Sequence, residues 1–426
     1  MAPVYESWET NGQRILHWVK LISITGSTQI LIQAIGLIVG IMTVRLLPIK
    51  EYAWFTIANT MLGALTVLGD CGISSGVMAE GGKYWQNKER LGSVLATGMF
   101  LRKKFAFISL CISLPILSYL LVKNGANWWQ IVLVILALIP SFFASLTDVL
   151  LEIPLKLHQD IGFLQKNQMY AAITRLILTI CSIFLLPFTF VVLLGNGISR
   201  ILANIKLKKR VNFFSSSNVE LDLNAKKSIR GIVKKTLPGS IYFVFSGQIN
   251  IWLISIFGNT TSIATIGAMG RITVAFSFIS ILSNILVVPR FAKLPDENFF
   301  LKSKFYLIVL VNLFFCVTIT SLLGLFSKQV IGILGQSYFG LQYEFFLSVI
   351  AALLGILVNI VIGLSASKGW VINPTLLLMS NFGVIIFGIL IFDYTSLYGI
   401  LLITIFQNFI LFLLQFIFCL KKINSI

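Results

Sequence analysis

Residues 168–187 read QMYAAITRLILTICSIFLLP, an apolar stretch that holds one permanent charge, Arg175. A helix of about 20 apolar residues is long enough to cross the roughly 30 Å hydrocarbon core of a bilayer. The stretch therefore predicts a membrane-spanning helix. It also raises the question of what a guanidinium group does inside a membrane.

The rest of the chain repeats this apolar pattern. Hydrophobic residues make up 57% of the 426 positions and charged residues 11%, and the mean hydropathy is +0.93. Soluble proteins have about 25% charged residues. We therefore predict an all-α integral membrane protein with twelve transmembrane helices. The spans fall near residues 22–44, 52–78, 104–122, 129–148, 169–187, 188–206, 236–257, 263–287, 305–327, 344–364, 375–392 and 397–420.

The distribution of basic residues predicts the topology. Most of the 33 lysines and arginines lie in alternate loops, and the intervening loops hold only Arg45, Lys50, Lys123 and Lys328. Because Lys and Arg are enriched in cytoplasmic loops, both termini are predicted to be cytoplasmic. The net charge of +18 then reflects topology, and we expect no nucleic-acid partner. The expected location is the cell inner membrane, as a multi-pass protein.

A basic polar segment divides the chain into halves. Six predicted spans precede it and six follow, an arrangement common in transporters built from related halves. We predict two six-helix bundles joined by a cytoplasmic linker, which could contact anionic lipid. The predicted parts are a cytoplasmic N-terminal segment (1–21), a first bundle (22–206), a cytoplasmic linker (207–235), a second bundle (236–420) and a cytoplasmic tail (421–426).

The sequence offers little that an enzyme could use. His17 and His158 are its two histidines, and the longest predicted outer loop, about 328–343, has no His, Asp or Glu. No phosphate-binding loop, HExxH or GxSxG motif occurs. The five cysteines show no CxxC spacing, so neither a disulfide framework nor a metal site is indicated. We expect no catalytic residues, metal or cofactor, and we favour a transporter over a membrane glycan polymerase or glycosyltransferase.

Three arginines lie inside predicted spans: Arg175, Arg200 and Arg271. Each costs about 2.5–3.5 kcal/mol at a helix centre on insertion scales, so each needs water, a partner or a route to the interface. A cavity lined by guanidinium groups would suit phosphate or acidic sugars, which the planar fork binds bidentately. Two alternatives are snorkelling to the interface and neutralisation of Arg175 or Arg200 by Asp148 or Glu152.

Polar and small residues within the spans allow two interpretations. Asn59, Gln248 and Asn250 could bind a hydroxyl-rich substrate, or they could form hydrogen bonds between helices. Gly36 and Gly40 are predicted to permit close helix packing. A cation-coupled exporter would instead need carboxylates within the bundle. Asp70 and Asp148, near the inner ends of spans two and four, are the candidates for coupling or gating.

Two stretches resemble the Wzx-type bacterial polysaccharide flippases of the multidrug, oligosaccharidyl-lipid and polysaccharide exporter superfamily. The first is VRLLPIKEYAWFTIANTMLGALTVLGDCGISSGV, residues 44–77, and the second is SGQINIWLISIFGNTTSIATIGAMGRITVAF, residues 246–276. The matching positions of the first are Arg45, Leu47, Glu51, Tyr52, Asp70 and Gly72, with Ala53 where glycine is usual. In the second, Asn250 replaces a frequent acidic residue and Arg271 matches a common basic one.

The resemblance implies a V-shaped, MATE-like pair of six-helix bundles around a central hydrophilic cavity. Such a protein would flip a polyprenyl-pyrophosphate-linked oligosaccharide from the inner to the outer leaflet. The cargo would serve O-antigen, lipopolysaccharide or capsule assembly. Membrane lipids and polysaccharide polymerase machinery are the implied partners. Arg45 joins Arg175, Arg200 and Arg271 as a candidate substrate-binding residue. A cation-coupled drug or small-molecule exporter of the same fold remains an alternative, and a membrane-embedded glycan polymerase or glycosyltransferase is a further one.

Overall fold

A computed structural model describes residues 11–216, 219–283, 287–292, 294–295, 297–370 and 372–425. Residues 1–10 of the predicted N-terminal segment, 217–218 of the predicted linker, 284–286 of the eighth predicted span and 426 of the tail lie outside the described residues.

Across the described residues the regular structure is helical throughout. The helices are α1 (Asn11–Leu46), α2 (Ile49–Asp70), α3 (Ile73–Lys83), α4 (Lys88–Lys123), α5 (Trp128–Leu157), α6 (Ile161–Leu185), α7 (Thr189–Val211), α8 (Leu223–Phe257), α9 (Thr260–Val274), α10 (Ser277–Leu282), α11 (Val288–Ala292), α12 (Asn298–Leu325), α13 (Ser327–Leu334), α14 (Gln342–Ser367), α15 (Pro374–Ile391) and α16 (Leu397–Asn424). A single 3₁₀ turn, Gln336–Tyr338, follows α13.

The helices confirm the predicted class of an all-α, multi-pass membrane protein. In the described part of the chain, nine are long and apolar enough to cross a bilayer, namely α1 from Gly26 onward, α2, α4, α5, α6, α7, α12, α14 and α16. Helix α8 is bent by 45° between Val244 and Gly247, and α15 contributes a shorter apolar helix. With the eighth predicted span covered in part by α9 and α10, the arrangement is consistent with about twelve transmembrane helices.

The polar breaks between apolar runs contain residues that begin helices. Asn87 accepts hydrogen bonds from the backbone N–H groups of residues 89 and 90 at the start of α4. Asp222 does the same at the start of α8, and Asn259 does so at the start of α9. Asn and Asp are favoured at this position because the first N–H groups of a helix have no partner within it. The predicted start of the eighth span, 263, is close to the start of α9, whereas α4 and α8 begin more than ten residues before the predicted starts at 104 and 236, because both helices extend beyond their apolar runs.

The second predicted span is broken in the structure. Helix α2 ends at Asp70, Cys71 and Gly72 adopt left-handed conformations (φ 44° and 85°), and α3 begins one residue later. Asp70 stabilises the new start by accepting hydrogen bonds from the N–H and hydroxyl of Ser74, at 3.2 and 2.6 Å. The hydroxyl of Thr236 approaches Gly72 so closely that a Cβ there would overlap it. Glycine is therefore required at the break on two grounds.

Helices continue into both ends of the predicted linker. Helix α7 runs to Val211 and α8 begins at Leu223, so only the segment between them is irregular. Ala225, Ile229 and Val233, on one face of α8, are buried in a hydrophobic cluster with residues of α3 to α7. Farther along α8, Leu253 and Ile254 belong to a second, larger cluster that extends through α16. Helix α8 therefore packs against the first half of the chain at one end and joins the main core at the other.

Close contacts within each half are made by α1 with α6, α2 with α4, α5 and α6 with α7, α12 and α16 with α14, and α15 with α16. The halves meet where α2 contacts α8 and α9, and where α1 contacts α9 and α13. Gly267 of α9 lies directly against Thr56 of α2, where a Cβ would clash with the threonine hydroxyl. This close approach places the first turns of α2 beside α9 and so defines one wall of a cavity.

A cationic cavity between the two halves

A cavity of about 460 Å³ lies between α1, α2, α6, α7 and α9. Its lining residues are Ile30, Gln33, Ala34, Gly36, Leu37, Val39, Gly40, Thr43, Phe55, Asn59, Arg175, Asn196, Arg271, Val274 and Ala275. The two ionisable side chains among them are both arginines. The predicted residues Arg175, Arg271 and Asn59 therefore meet in one cavity, although they come from three different helices.

Arg271 is held in place by two aromatic residues of α2. Its Nε lies 3.4 Å from the hydroxyl of Tyr52, and its guanidinium carbon lies 5.4 Å from the ring centre of Phe55. The aromatic face attracts the cation and keeps the guanidinium plane in position. Tyr52 is fully buried, so close packing around its ring restricts its movement. The terminal nitrogens of Arg271 have no protein partner among the described residues and are available to a ligand.

Arg175 has no ion-pair or hydrogen-bond partner within the described residues. Its Nε is buried and unsatisfied. The positive charges of Arg200 and Arg271 both act on it electrostatically. An arginine in this situation needs water or an anion, because a buried unpaired charge is costly. The alternative prediction, in which Asp148 or Glu152 neutralises Arg175, is not observed here.

Gly36 and Gly40, one turn apart on α1, make room for these arginines. A Cβ on Gly40 would lie 2.9 Å from Cδ of Arg271, and one on Gly36 would lie 3.4 Å from Nη2 of Arg175. The sequence predicted close packing between helices at this pair. In the structure the two glycines face arginine side chains, so the absence of a Cβ leaves space for those side chains in the cavity.

A smaller chamber of about 240 Å³ adjoins the first. It is lined by Ile32, Asp148, Asn167, Gln168, Ala171, Ala172, Arg175, Ser199, Arg200 and Ala203. Nη1 of Arg200 forms an ion pair with Oδ2 of Asp148 at 3.2 Å. Neutralisation of Arg200 by Asp148 was one of the two alternatives predicted for this arginine. Arg175 lines both chambers. We call them the central cavity and the side chamber.

Three predicted substrate-binding residues lie outside both cavities. Arg45 donates hydrogen bonds from Nε and Nη2 to the carbonyls of residues 333 and 332, at 2.7 and 2.8 Å, at the end of α13. A cation at a helix C-terminus is favoured by the helix dipole, so this contact is structural. Gln248 of α8 faces Gly63 of α2. The side-chain oxygen of Asn250 is buried and has no partner among the described residues.

Two notable residues, one in the central cavity and one outside both cavities, were not predicted from the sequence. Asn196 lines the central cavity with its Oδ1 unsatisfied in the described structure, and its place within a predicted span was the available signal. Arg102 is only 3% exposed and pairs with Asp70, while its other terminal nitrogen donates to the carbonyl of Leu146. From the sequence, Arg102 counts with Lys103 and Lys104 among the basic residues of a predicted cytoplasmic segment.

No protein-family model matches this sequence, and no curated protein has a matching sequence. Solved structures share its fold. The lipid II flippase MurJ in an inward closed conformation has a TM-score of 0.72 at 12% identity, over 94% of this chain and 87% of that one. A multidrug resistance MATE family transporter of the MOP superfamily, inward-facing, gives 0.69 at 13% identity, over 92% and 95%. An outward-facing MATE transporter gives 0.60 at 14% identity, over 95% and 94%.

The fold is therefore that of MATE family transporters and of the lipid II flippase MurJ. This likeness covers nearly the whole chain and includes both halves. It agrees with the class predicted from the apolar runs.

Proposed function

We propose that the chain is a flippase that moves a polyprenyl-pyrophosphate-linked oligosaccharide from the cytoplasmic to the outer leaflet. In this proposal, Arg175 and Arg271 bind the pyrophosphate or acidic sugars, and the polymer made from the cargo is O-antigen, capsule or another surface polysaccharide. Asn59 and Asn196 hydrogen-bond sugar hydroxyls, and the lipid tail stays in the bilayer. The structural neighbour MurJ is described as a lipid II flippase. Its substrate, like the proposed cargo, is linked to a lipid.

The observation that supports this most is the charge of the central cavity. Its lining includes two arginines and no carboxylate, and within the described residues neither arginine forms an ion pair. Arginine binds phosphate and carboxylate oxygens with two parallel N–H donors. A cavity left with unpaired guanidinium groups is thus suited to an anionic headgroup and unsuited to a cationic drug.

Alternating access accounts for the movement of the cargo. The greater similarity to the inward-facing than to the outward-facing MATE structure supports an inward-facing state that receives cargo from the cytoplasmic leaflet. With the cell interior negative, outward transfer of each uncompensated negative charge is favoured by about 2.3 kcal/mol per 100 mV. Asp70 and Asp148, each paired with an arginine, are proposed to act in gating through those pairs.

The rival proposal is a cation-coupled exporter of the same fold, and the MATE neighbours keep it open. It requires a carboxylate that binds the coupling ion. Under that proposal, Asp70→Asn and Asp148→Asn abolish transport while Arg271→Gln has little effect. Under the flippase proposal, Arg271→Gln causes the larger loss. A transport assay on these three variants separates the two functions.

The direct test is the distribution of lipid-linked oligosaccharide in cells that lack the gene. The flippase proposal predicts that it accumulates on the cytoplasmic leaflet and returns to normal when the gene is restored. A normal distribution in the deletion strain would contradict the proposal. Formation of a longer glycan by the purified protein would instead favour the polymerase or glycosyltransferase alternative.

A further inference from the structure

We propose that the side chamber is a second phosphate-binding subsite, in which Asp148 is a resident anion that an incoming phosphate group displaces from Arg200. The ligand class is a phosphate or pyrophosphate group. Its assignment to the cargo headgroup rests on the proposed function, whereas the anion site itself does not.

The connection between the chambers supports this inference. Arg175 lines both chambers, with Arg271 on the central side and Arg200 on the other. Asn167, Gln168 and Ser199 add polar groups to the side chamber. An anion held between Arg200 and Arg175 could therefore pass to the site between Arg175 and Arg271 without losing contact with Arg175.

The ion pair of Arg200 and Asp148 has the properties of an exchangeable contact. It is a single contact of 3.2 Å, and the two side chains are 45% and 24% exposed. A partly exposed ion pair with a single contact is held weakly. The other donors of Arg200 have no partner among the described residues. Two oxygens of a phosphate group can accept from two of these donors at once, whereas Asp148 accepts from only one nitrogen of Arg200.

Asp148 is the one carboxylate that lines the side chamber. The nearest acidic neighbour on the same helix, Glu152, is already engaged, because Nζ of Lys156 lies 2.7 Å from one oxygen and Nε2 of Gln168 donates to the other at 2.9 Å. Gln29 of α1 donates to Gln168 in turn, at 3.0 Å. This network fixes one edge of the chamber and leaves Asp148 as the group that competes with an incoming anion.

The test measures binding of inorganic pyrophosphate to the purified full-length protein by titration calorimetry. Asp148→Asn removes the competing charge. The affinity of this variant for pyrophosphate is therefore expected to be about tenfold higher than that of the unaltered protein, which corresponds to about 1.4 kcal/mol. Arg200→Gln is expected to lower the affinity several-fold, since the unpaired Asp148 carboxylate would then repel the ligand. The double variant is expected to lose the gain seen in Asp148→Asn.

The matched control is Asp160→Asn. Asp160 forms the same kind of ion pair, with Nε of Arg210 at 2.7 Å, but it lines neither cavity. Its affinity is expected to equal that of the unaltered protein. If Asp148→Asn behaves like Asp160→Asn, or if its gain persists in the double variant, the side chamber is not a phosphate subsite. If Asp148→Asn does not fold, the loss expected for Arg200→Gln still decides, and an unchanged affinity in that variant overturns the inference.

Arg271→Gln separates this inference from the proposed function. It is expected to weaken pyrophosphate binding while leaving the gain from Asp148→Asn intact. A gain without any effect of Arg271 would support the subsite and count against the central cavity as the main site. If Arg271→Gln weakens pyrophosphate binding but Asp148→Asn gives no gain, the central cavity is supported as the anion site and the side chamber is not a subsite.

Repeating the titration in nanodiscs identifies the source of the phosphate. Phosphatidylcholine discs are compared with discs that also contain phosphatidylglycerol. If the gain from Asp148→Asn survives in both, the chamber selects the pyrophosphate of the cargo. If phosphatidylglycerol suppresses it, the chamber is a phosphate subsite that a bilayer lipid fills. A gain absent from phosphatidylcholine discs overturns the inference.

Discussion

Two of the arginines in the membrane region differ from the others in what surrounds them. Arg102 is buried beside Asp70, and Arg200 pairs with Asp148. Arg175 and Arg271 face the central cavity with no carboxylate within ion-pair distance in the described part of the chain. An unpaired charge inside a membrane-spanning region is costly. The absence of a partner within the described residues therefore points to a partner from outside the protein, such as an anionic ligand. Arg175 therefore has the surroundings expected of a ligand-binding residue.

Replacement of Arg175 tests this assignment at the residue scale. Arg175→Ala is expected to reduce export of lipid-linked oligosaccharide about tenfold or more, because a charge-assisted hydrogen bond contributes about 1.5–3 kcal/mol. Arg175→Lys should restore it only in part, since lysine keeps the charge but lacks the planar fork. Complementation of the deletion strain measures both. Arg210→Ala, outside both cavities, is the control. Full activity of the alanine variant would mean that Arg175 only snorkels.

The glycines of α1 provide a second test. An alanine at position 40 would place Cβ 2.9 Å from Cδ and 3.3 Å from Cγ of Arg271. These atoms are near the root of the side chain, so the guanidinium group must shift as a whole. We expect Gly40→Ala to reduce transport clearly and Gly36→Ala, with 3.4 Å available, to reduce it less. Gly26→Ala has nothing within 4 Å and should be neutral. Equal activity of all three variants would contradict this account of the glycines.

At the scale of single elements, α2 organises much of the site. Tyr52, Phe55 and Asn59 follow one another at helical spacing and face Arg271 or the cavity. Glu51 points elsewhere: its carboxylate accepts hydrogen bonds from the N–H and hydroxyl of Thr189, at 2.8 and 2.7 Å, at the start of α7. The Glu-Tyr pair noted in the sequence thus has two separate roles, one structural and one at the site.

Removal of Glu51 should destabilise the protein. The side chain is only 8% exposed, and Glu51→Ala would leave the N–H of Thr189 unpaired at the positive end of α7. We expect a loss of about 1–3 kcal/mol in unfolding free energy, visible as a lower thermal midpoint in detergent. Glu51→Gln keeps an acceptor oxygen and should lose less. An unchanged midpoint for Glu51→Ala would show that α7 does not depend on this cap.

The elements themselves were largely predictable, since apolar runs of spanning length and polar breaks with Asn, Asp or Ser caps both lie in the local sequence. The break at Gly72 was not predicted, and the close contact of Gly72 with Thr236, which is distant in sequence, is set by packing between helices. The site was predictable in its residue types, and Arg175, Arg271 and Asn59 do share a cavity. The partners of Arg45, Arg102 and Arg200 were left open or missed, because packing between helices decides them.

On the scale of the whole molecule, one set of contacts between the halves lies at the predicted outer end. Arg45 at the end of α1 binds the last carbonyls of α13. Asn124, at the end of α4, donates to the carbonyl of Ser255 on α8 at 3.1 Å and accepts from Thr260 on α9 at 3.4 Å. These contacts tie the first half of the chain to the second at the predicted outer end.

Loss of Arg45 should favour outward opening. Arg45→Ala removes a cation from the C-terminus of α13, a contact worth about 1 kcal/mol, and should shift the balance of states about fivefold. Electron–electron double resonance measures the distance between spin labels placed at positions 50 and 339 of the predicted outer end, in a protein whose native cysteines have been replaced. We expect a larger fraction of long distances than in Lys328→Ala, an exposed basic residue of the same outer region. Identical distance distributions would exclude Arg45 from closing the outer end.

The central claim is that the two unpaired arginines of the central cavity bind an anionic, lipid-linked cargo during transport. Its most direct test is reconstitution of the purified protein in liposomes that contain lipid-linked oligosaccharide, with a membrane-impermeant glycosidase reporting arrival at the opposite leaflet. The account predicts flipping by the unaltered protein and by Asp160→Asn, and a loss of about tenfold or more in Arg175→Gln/Arg271→Gln. Undiminished flipping by the double variant, or no flipping by the unaltered protein, would contradict it.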